Sequence, residues 1–155
     1  MKIKKLLLGV TCVLSIFLLT GCVKKTVITT EQFKSKTEEH NLITKDIISQ
    51  YTQYNNIIKE ATLAIKDDEW QIEFYVIANA TEAKDMFKNN VNKTEAETTS
   101  TEIKTKVNML NYNTYSQTTA TKYVYISRVE NTILYIEVKA DQKDEVMTVV
   151  EALGY

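Results

Sequence analysis

Histidine, glycine and cysteine are scarce among the 155 residues of this sequence. His40 is the only histidine, so a Ser-His-Asp triad or a metal site with several histidines cannot be assembled. The three glycines form no phosphate-cradling loop. Asp67-Asp68-Glu69 lacks the spacing and the glycine of a calcium loop, and we expect a solvated turn there. The sequence therefore predicts no catalytic residue, no metal site and no cofactor, with His40 as a surface residue at a helix end.

The first two dozen residues have the order of segments that is typical of a secretory signal. Lys2, Lys4 and Lys5 precede an apolar run over residues 6–19, and small residues follow it. The run is shorter than the ~20 residues that span a bilayer comfortably. An uncleaved anchor helix is the alternative, because only apolar or small residues lie between Lys5 and Lys24. Both interpretations place the bulk of the chain outside the cytoplasm.

Leu19-Thr20-Gly21-Cys22 resembles the lipobox of bacterial lipoproteins, which is an aliphatic residue, a small residue, Gly or Ala, and Cys. The resemblance implies that a diacylglycerol is attached to the sulfur of Cys22 and that a signal peptidase cuts just before it. Residues 1–21 are then the signal peptide, 22–28 a lipidated tether and 29–155 a single α+β domain on the extracytoplasmic face of the cell membrane. The domain also loosely resembles small uncharacterised lipoproteins of low-GC Gram-positive bacteria, which implies no activity.

Removal of the signal peptide makes the remaining chain acidic. All twenty acidic residues follow Cys22, whereas three of the nineteen basic residues precede it, which leaves a formal charge of −4 for residues 22–155. A nucleic-acid or anionic-lipid partner requires clustered positive charge, so we expect neither. Cys12 lies in the removed run, and an acylated Cys22 cannot form a disulfide.

The first half of the domain shows one helix start, one hairpin and a second helix start. Thr29 and Gln32 have capping-box spacing before a short, peripheral helix over 30–40, in which Ile28 packs on Phe33 as a hydrophobic staple. Residues 41–59 are ambiguous, with a strand possible over 42–48. Two β-rich runs within 61–78 flank a polar turn at 66–69. Asn79 caps a helix over 80–92 with an apolar face, and the polar segment 93–101 is predicted to be a mobile loop.

The second half shows four strands and a closing helix. Strands are predicted over 103–110 and 112–119, followed by a hairpin of 123–128 and 133–139 that turns at 129–132. Asp141 is predicted to cap a final helix, with Gly154 just after it and Tyr155 folded back on its last turn. Its apolar stripe consists of Val146, Val149, Val150 and Leu153. We predict an α+β fold with a mostly antiparallel sheet of five to seven strands, two longer helices on one face and a short N-terminal helix.

Tyrosine is abundant, with nine residues, and suggests a binding face. If the aliphatic residues of the final hairpin face the helices, its tyrosines lie together on the other face of the sheet. A tyrosine suits a binding surface because it has a large rigid body and a polar tip. The alternative is that these are ordinary strand residues covered by a helix or loop. The predicted binding face consists of Tyr75, Tyr123, Tyr125 and Tyr135.

These observations favour a membrane-anchored extracytoplasmic lipoprotein without catalytic activity. The expected role is binding of an envelope protein, a peptide or a wall glycan through the tyrosines or the loop at 93–101. A small carboxylate-dependent envelope enzyme is the alternative, since two acids facing each other across a cleft are compatible with the sequence. An accessory lipoprotein of a transporter is a further alternative.

Overall fold

Residues 24–98 and 103–155 are described by a computed structural model of the chain. The predicted signal peptide and Cys22 therefore lie outside the described residues, as do residues 99–102 of the predicted loop. None of the helices in the described part combines the length and the apolar character that crossing a membrane requires.

A single antiparallel sheet of seven strands forms the middle of the fold and confirms the predicted α+β class. The strands are β1 (Ile43–Asp46), β2 (Ile58–Lys66), β3 (Trp70–Ile77), β4 (Ile103–Asn108), β5 (Tyr112–Thr118), β6 (Lys122–Val129) and β7 (Thr132–Lys139). Their order across the sheet is β1-β2-β3-β7-β6-β5-β4, so β3 and β7 are adjacent at its centre. The predicted 61–78 and 123–139 hairpins are confirmed as β2–β3 and β6–β7.

Left-handed residues make the hairpin turns tight. Asp67 and Asp68 have φ values of 47° and 58° between β2 and β3, and Glu130 has φ 51° between β6 and β7. Positive φ at both central residues, as at Asp67 and Asp68, defines the type I′ turn, whose twist matches that of paired strands, whereas only Glu130 of the two central residues has positive φ in the β6–β7 turn. Aspartate tolerates this conformation better than most residues. The acidic triplet 67–69 therefore shapes a turn, as predicted.

Both faces of the sheet are covered by helices, which differs from the predicted placement of the two longer helices on one face. The helices are α1 (Thr30–Glu39), α2 (Ala80–Glu97) and α3 (Lys143–Leu153), with 3-10 segments at Ile48–Tyr54 and Ala140–Gln142. The α3 face of the sheet carries Phe74, Leu134 and Ile136, and the α2 face carries Tyr75, Ile126 and Ile133. Neighbouring strand residues point to opposite faces, and the central strands are buried on both sides, so each face needs its own helical cover.

On the α3 face, α1 and α3 pack side by side over the sheet. Phe33 is fully buried and stacks on Phe74 with ring centroids 4.7 Å apart, so α1 is not peripheral as predicted. The capping box of Thr29 and Gln32 is present, as predicted. By contrast, Asp141 lies in the short 3-10 segment, and α3 starts at Lys143 without a side-chain cap.

The end of α3 has the predicted glycine cap. Gly154 adopts φ 84°, and the Tyr155 amide donates to the Val150 carbonyl at 3.1 Å. This is the Schellman arrangement, and it turns Tyr155 back into the core, where its hydroxyl hydrogen-bonds with Thr132. The predicted stripe of α3 is confirmed, because Val146, Val149, Val150 and Leu153 are all buried.

On the α2 face, one long helix crosses the central strands. The Asn79 side chain accepts the Glu82 amide at 2.9 Å, which confirms the predicted cap. The helix continues to Glu97, five residues beyond its predicted end, so residues 93–97 are helical and not part of a loop. Its buried stripe is Ala83, Phe87, Val91 and Thr94. The 3-10 helix Ile48–Tyr54 packs on the same face through Ile48 and Tyr51.

Candidate functional site

The predicted tyrosine face is not one surface, because the register of β6 and β7 divides it. Val129 pairs with Thr132 across the two-residue turn, so Tyr125 pairs with Ile136 and Tyr123 with Val138. Directly paired residues lie on the same face of a sheet. Odd-numbered residues of β6 therefore share a face with even-numbered residues of β7. The prediction of one tyrosine face was wrong at this point: Tyr123 and Tyr125 lie on the α3 face, and Tyr75 and Tyr135 lie on the α2 face.

The two tyrosines on the α3 face belong to the core. Tyr123 is 3% exposed and Tyr125 is 7% exposed. The Tyr123 hydroxyl lies 3.4 Å from the Met147 sulfur of α3, and the Lys143 ammonium lies 5.3 Å from its ring centroid. Burial raises the pKa of Tyr123 to about 12, and it also raises that of Tyr125. Neither residue is among those that line the two open cavities on the α2 face.

An open groove lies between α2 and the 3-10 helix Ile48–Tyr54, and it is lined by Tyr135, which is half-buried, and by Tyr75, which is only 4% exposed. Two adjoining cavities of about 400 Å³ and 450 Å³ make up this tyrosine groove, and they share Tyr51, Tyr54 and Met86. The first cavity lies toward the start of α2 and also touches Ile57, Ile58, Glu82, Asp85 and Asn89. The second lies toward the end of α2 and also touches Glu73, Tyr75, Asn90, Lys93, Thr94, Glu97 and Tyr135.

A hydrogen-bonded chain of three side chains forms one wall of the groove. The Tyr75 hydroxyl donates to Glu73 Oε2 at 2.5 Å, and the Tyr51 and Tyr75 hydroxyls lie 2.8 Å apart. Since Tyr75 gives its only proton to the carboxylate, Tyr51 must donate to Tyr75. The two rings meet edge to face with centroids 5.5 Å apart. Burial, the charge of Glu73 and these hydrogen bonds raise the pKa of Tyr75 well above its usual range, so this phenol stays protonated.

Tyr135 marks the acidic end of the groove. It pairs directly with Glu73 across β3 and β7, and its hydroxyl donates to Glu137 Oε2 at 3.0 Å. Burial raises the pKa of Tyr135, followed by the charges of Glu137, Glu73 and Glu97. Three carboxylates therefore direct negative potential to the tip of this ring. Lys93 lies nearby and contacts Glu97 at 3.9 Å on the exposed side of α2.

The groove combines a largely apolar half at Ile57 and Ile58 with a more polar half at Tyr75 and Tyr135, and each half carries two carboxylates. Ile57 and Tyr54 are 38% and 49% exposed, which is high for large apolar side chains. Four carboxylates and a single lysine line the two cavities, so the groove is negative: Glu73, Glu82, Asp85, Glu97 and Lys93. Such a site suits an elongated ligand with an apolar body and a cationic or hydrogen-bond-donating end.

Sequence reasoning identified two residues of the groove and missed the rest. Tyr75 and Tyr135 were among the predicted binding residues, whereas Tyr51 and Tyr54 lie in a segment left ambiguous. Tyr51 and Tyr54 are three residues apart, which places both side chains on one side of a helical turn. This spacing was the one signal in the sequence that could have indicated a shared surface. Lys93 and Glu97 were assigned to a mobile loop and instead sit on α2.

The part of the chain that the structure describes offers no metal centre. Among residues 24–98 and 103–155, no group of three or more His, Cys, Asp or Glu side chains is placed to hold a metal ion. His40 caps the end of α1, away from the residues that line the groove.

Comparisons with known proteins assign no family. No family model matches the chain, and no curated protein matches it. Among solved structures, it is similar to a GTP binding regulator from Thermotoga maritima, with 17% sequence identity and a TM-score of 0.49. That similarity covers 79% of this chain and 84% of the other. What the structure itself defines is an α+β protein with helices on both faces of one sheet and an open groove under α2.

Proposed function

We propose that this chain is a lipid-anchored extracytoplasmic binding protein that holds a ligand in the tyrosine groove. The observation that carries the proposal is the groove itself, in which four tyrosines and four carboxylates meet an apolar strip at Met86 and Ile57. Ligand sites in proteins are concave, largely apolar and equipped with a few convergent polar groups. The groove has each of these properties.

The chemistry of the groove favours an organic cation with an apolar body. Tyrosine faces attract ammonium groups through their ring quadrupole, and nearby carboxylates strengthen that attraction. Glu73 lies opposite Tyr135 in the sheet, and Glu97 lies close enough to influence its pKa. Ile57, Ile58 and Met86 would contact the apolar part of the ligand. A lysine side chain, a polyamine or a quaternary ammonium has this combination.

Binding fits the groove better than catalysis by a pair of carboxylates. General acid–base catalysis needs a carboxyl group within reach of the substrate proton. Glu73 accepts from Tyr75, Glu97 contacts Lys93, and Glu137 accepts from both Tyr135 and Lys122. The carboxylates around Tyr135 therefore already have partners inside the protein, which supports a binding role there. Glu82 and Asp85, the other two carboxylates of the groove, lie on the same helix and do not face each other across the groove. No contact in the described residues favours the transporter-accessory alternative.

The location part of the proposal rests on the sequence. The basic start, the apolar run and Leu19-Thr20-Gly21-Cys22 predict export and lipid attachment. Only the predicted tether, residues 22–28, lies between the predicted anchor and the cap of α1 at Thr29. A domain held this close to the membrane would encounter ligands at the cell envelope.

Methionine methyl groups provide the test of the groove. The chain after Cys22 contains three methionines: Met86 in the groove, Met147 on α3 and Met109 in a surface turn. Full-length protein in phosphatidylcholine nanodiscs, labelled with 13C at the methionine methyls, is titrated with benzyltrimethylammonium. We expect a saturable shift of the Met86 signal and no shift of the Met147 signal. Neopentylbenzene, the uncharged isostere, should bind several-fold more weakly because cation–π attraction is worth about 0.5–2 kcal/mol.

Two variants separate the groove from general effects. Glu73→Gln removes a charge at the acidic end and should weaken binding of benzyltrimethylammonium. Asp141→Asn removes an exposed charge that does not line the groove and should leave binding unchanged. The absence of a saturable Met86 shift, or equal affinity for the charged and uncharged compounds, would contradict the proposal.

A further inference from the structure

The turn between β4 and β5 exposes an apolar tip. Leu110 is 98% exposed and Met109 is 36% exposed. The Met109 amide donates to the Tyr112 carbonyl at 2.9 Å, so Leu110 and Asn111 form a tight two-residue tip. Turn tips usually carry Gly, Asn, Asp, Ser or Pro. A leucine held in water by a rigid turn contributes nothing to the core of this domain.

The N-terminal tether is fastened to the same turn. Asn111 Nδ2 donates to the Lys25 carbonyl at 2.7 Å, and the Lys25 ammonium lies 5.3 Å from the centroid of the Tyr112 ring. Further along the tether, Val27 is 36% exposed and Ile28 enters the core of the α3 face. The point where the chain enters the domain is therefore fixed beside Leu110.

The predicted anchor lies within a short reach of this point. Lys25 is the third residue after Cys22, and an extended chain spans at most about 11 Å over three residues. A lipid on Cys22 would hold the Leu110 tip at the membrane surface. Lys24 and Lys25 would lie at the level of the headgroups, with apolar stems directed inward. Two further charged residues lie at this end: Glu130, whose amide donates to the Asn111 carbonyl at 2.8 Å, and the buried Arg128, which donates to the Glu130 carbonyl at 2.7 Å.

We propose that Met109 and Leu110 insert into the leaflet that holds the lipidated Cys22, as a second membrane contact that sets the orientation of the domain. The inference rests on the lipid anchor of the proposed function and adds a surface to it. The β6–β7 turn lies at this end too, because the Glu130 amide donates to the Asn111 carbonyl. Asn131 of that turn bonds to Ile77, so the end of β3 lies there as well. Because α2 starts just after Ile77, the Ile57 half of the tyrosine groove faces the membrane and the Lys93 half faces away from it.

The same three methionine methyls test this contact. The processed protein, residues 22–155, is placed in phosphatidylcholine nanodiscs. It is treated with a lipid that carries a spin label near its headgroup and, in a separate sample, with a water-soluble gadolinium chelate. We expect the lipid label to abolish the Met109 signal while the Met147 signal persists. The gadolinium chelate should broaden Met109 less than it does in protein without a bilayer.

Matched variants decide whether Leu110 is responsible. Leu110→Asp should restore the Met109 signal in the presence of the lipid label. Ile43→Asp places the same charge at another exposed apolar residue, 72% exposed on β1, and should change nothing. Mass spectrometry of the same sample reports whether Cys22 carries lipid.

Three outcomes overturn the inference. Lipid on Cys22 with Met109 open to gadolinium and untouched by the lipid label would leave the anchor standing and refute insertion. Protection of Met109 from both agents together with a dimeric mass would assign the tip to a second copy of the chain. The absence of lipid on Cys22 would refute the anchor and the insertion together.

Discussion

At the scale of single residues, the phenols are the groups whose protonation is coupled most strongly to the fold. Burial raises the pKa of six of them above 10, the ordinary value of tyrosine: Tyr75, Tyr115, Tyr123, Tyr125, Tyr135 and Tyr155. In the unfolded chain each would ionise near that ordinary value. The folded state therefore retains protons that the unfolded state loses in alkaline solution.

This difference predicts a loss of stability above pH 10. Because the folded pKa values are raised, the stabilising contribution is complete below the unfolded pKa and falls as the pH rises through the folded pKa. We expect urea midpoints to fall between about pH 9 and about pH 11, and most of the phenolate absorbance to rise only as the protein unfolds. Tyr123→Phe removes one of these phenols and should make the fall less steep. Equal midpoints at both pH values, with most of the phenolate absorbance appearing before unfolding, would contradict the burial of these side chains.

The tyrosines also show how much of the candidate site could be predicted from composition. The excess of tyrosine predicted an aromatic binding surface, and Tyr75 and Tyr135 do line the groove. Tyr123 and Tyr125 serve as core residues because tyrosine is also a favoured strand residue with a large apolar area. Composition alone cannot distinguish a tyrosine in the core from a tyrosine that lines a groove. The register can, and the four-residue turn at 129–132 already implied that Val129 pairs with Thr132.

At the scale of elements, local signals predicted starts and turns well. The caps at Thr29 and Asn79 and the hairpin turn at 67–68 depend on contacts within three or four residues of the sequence. The end of α2 depends on tertiary packing. Thr94 is polar by composition, yet it continues the buried stripe of this helix and bonds back to the Asn90 carbonyl. A polar segment next to the sheet was therefore mistaken for a loop.

The two-sided cover of the sheet was missed for a physical reason. Alternating residues in β3 and β7 indicated one buried face, and two helices with apolar stripes appeared sufficient to cover it. In the structure Ile126 and Ile133 need α2, while Leu134 and Ile136 need α3. A strand at the centre of a sheet has no solvent face, and tyrosine or threonine at alternate positions conceals this in the sequence.

Both helices should therefore contribute to stability. Val150 and Phe87 are 0% and 4% exposed, one on each face of the sheet. We expect Val150→Ala to lower the free energy of unfolding by about 1–3 kcal/mol, and Phe87→Ala by about 3–5 kcal/mol, through lost burial and a remaining cavity. Chemical denaturation measures both. Lys88→Ala, exposed and next to Phe87, is the control and should change stability by about 0.5 kcal/mol or less. If Phe87→Ala behaved like Lys88→Ala, α2 would not be part of the core.

At the scale of the whole molecule, the proposed anchor would orient the domain relative to the membrane. The tether, the Leu110 tip and the start of α2 lie at one end of the sheet, and the Lys93 half of the groove lies toward the other. If the proposed anchor is correct, a groove oriented in this way would be open to ligands that arrive from outside the cell. Both the proposed binding role and the proposed membrane contact depend on attachment at Cys22.

Attachment at Cys22 is therefore the measurement that tests the account most directly. The N-terminal peptide of the protein, isolated from cells fed with a labelled fatty acid, is examined by mass spectrometry alongside Cys22→Ala and Cys12→Ala. We predict a diacylglycerol on Cys22 as the first residue, an unprocessed and unlabelled precursor for Cys22→Ala, and normal processing for Cys12→Ala. Lipid incorporation and processing in Cys22→Ala, or an unmodified Cys22 in the natural chain, would contradict the account.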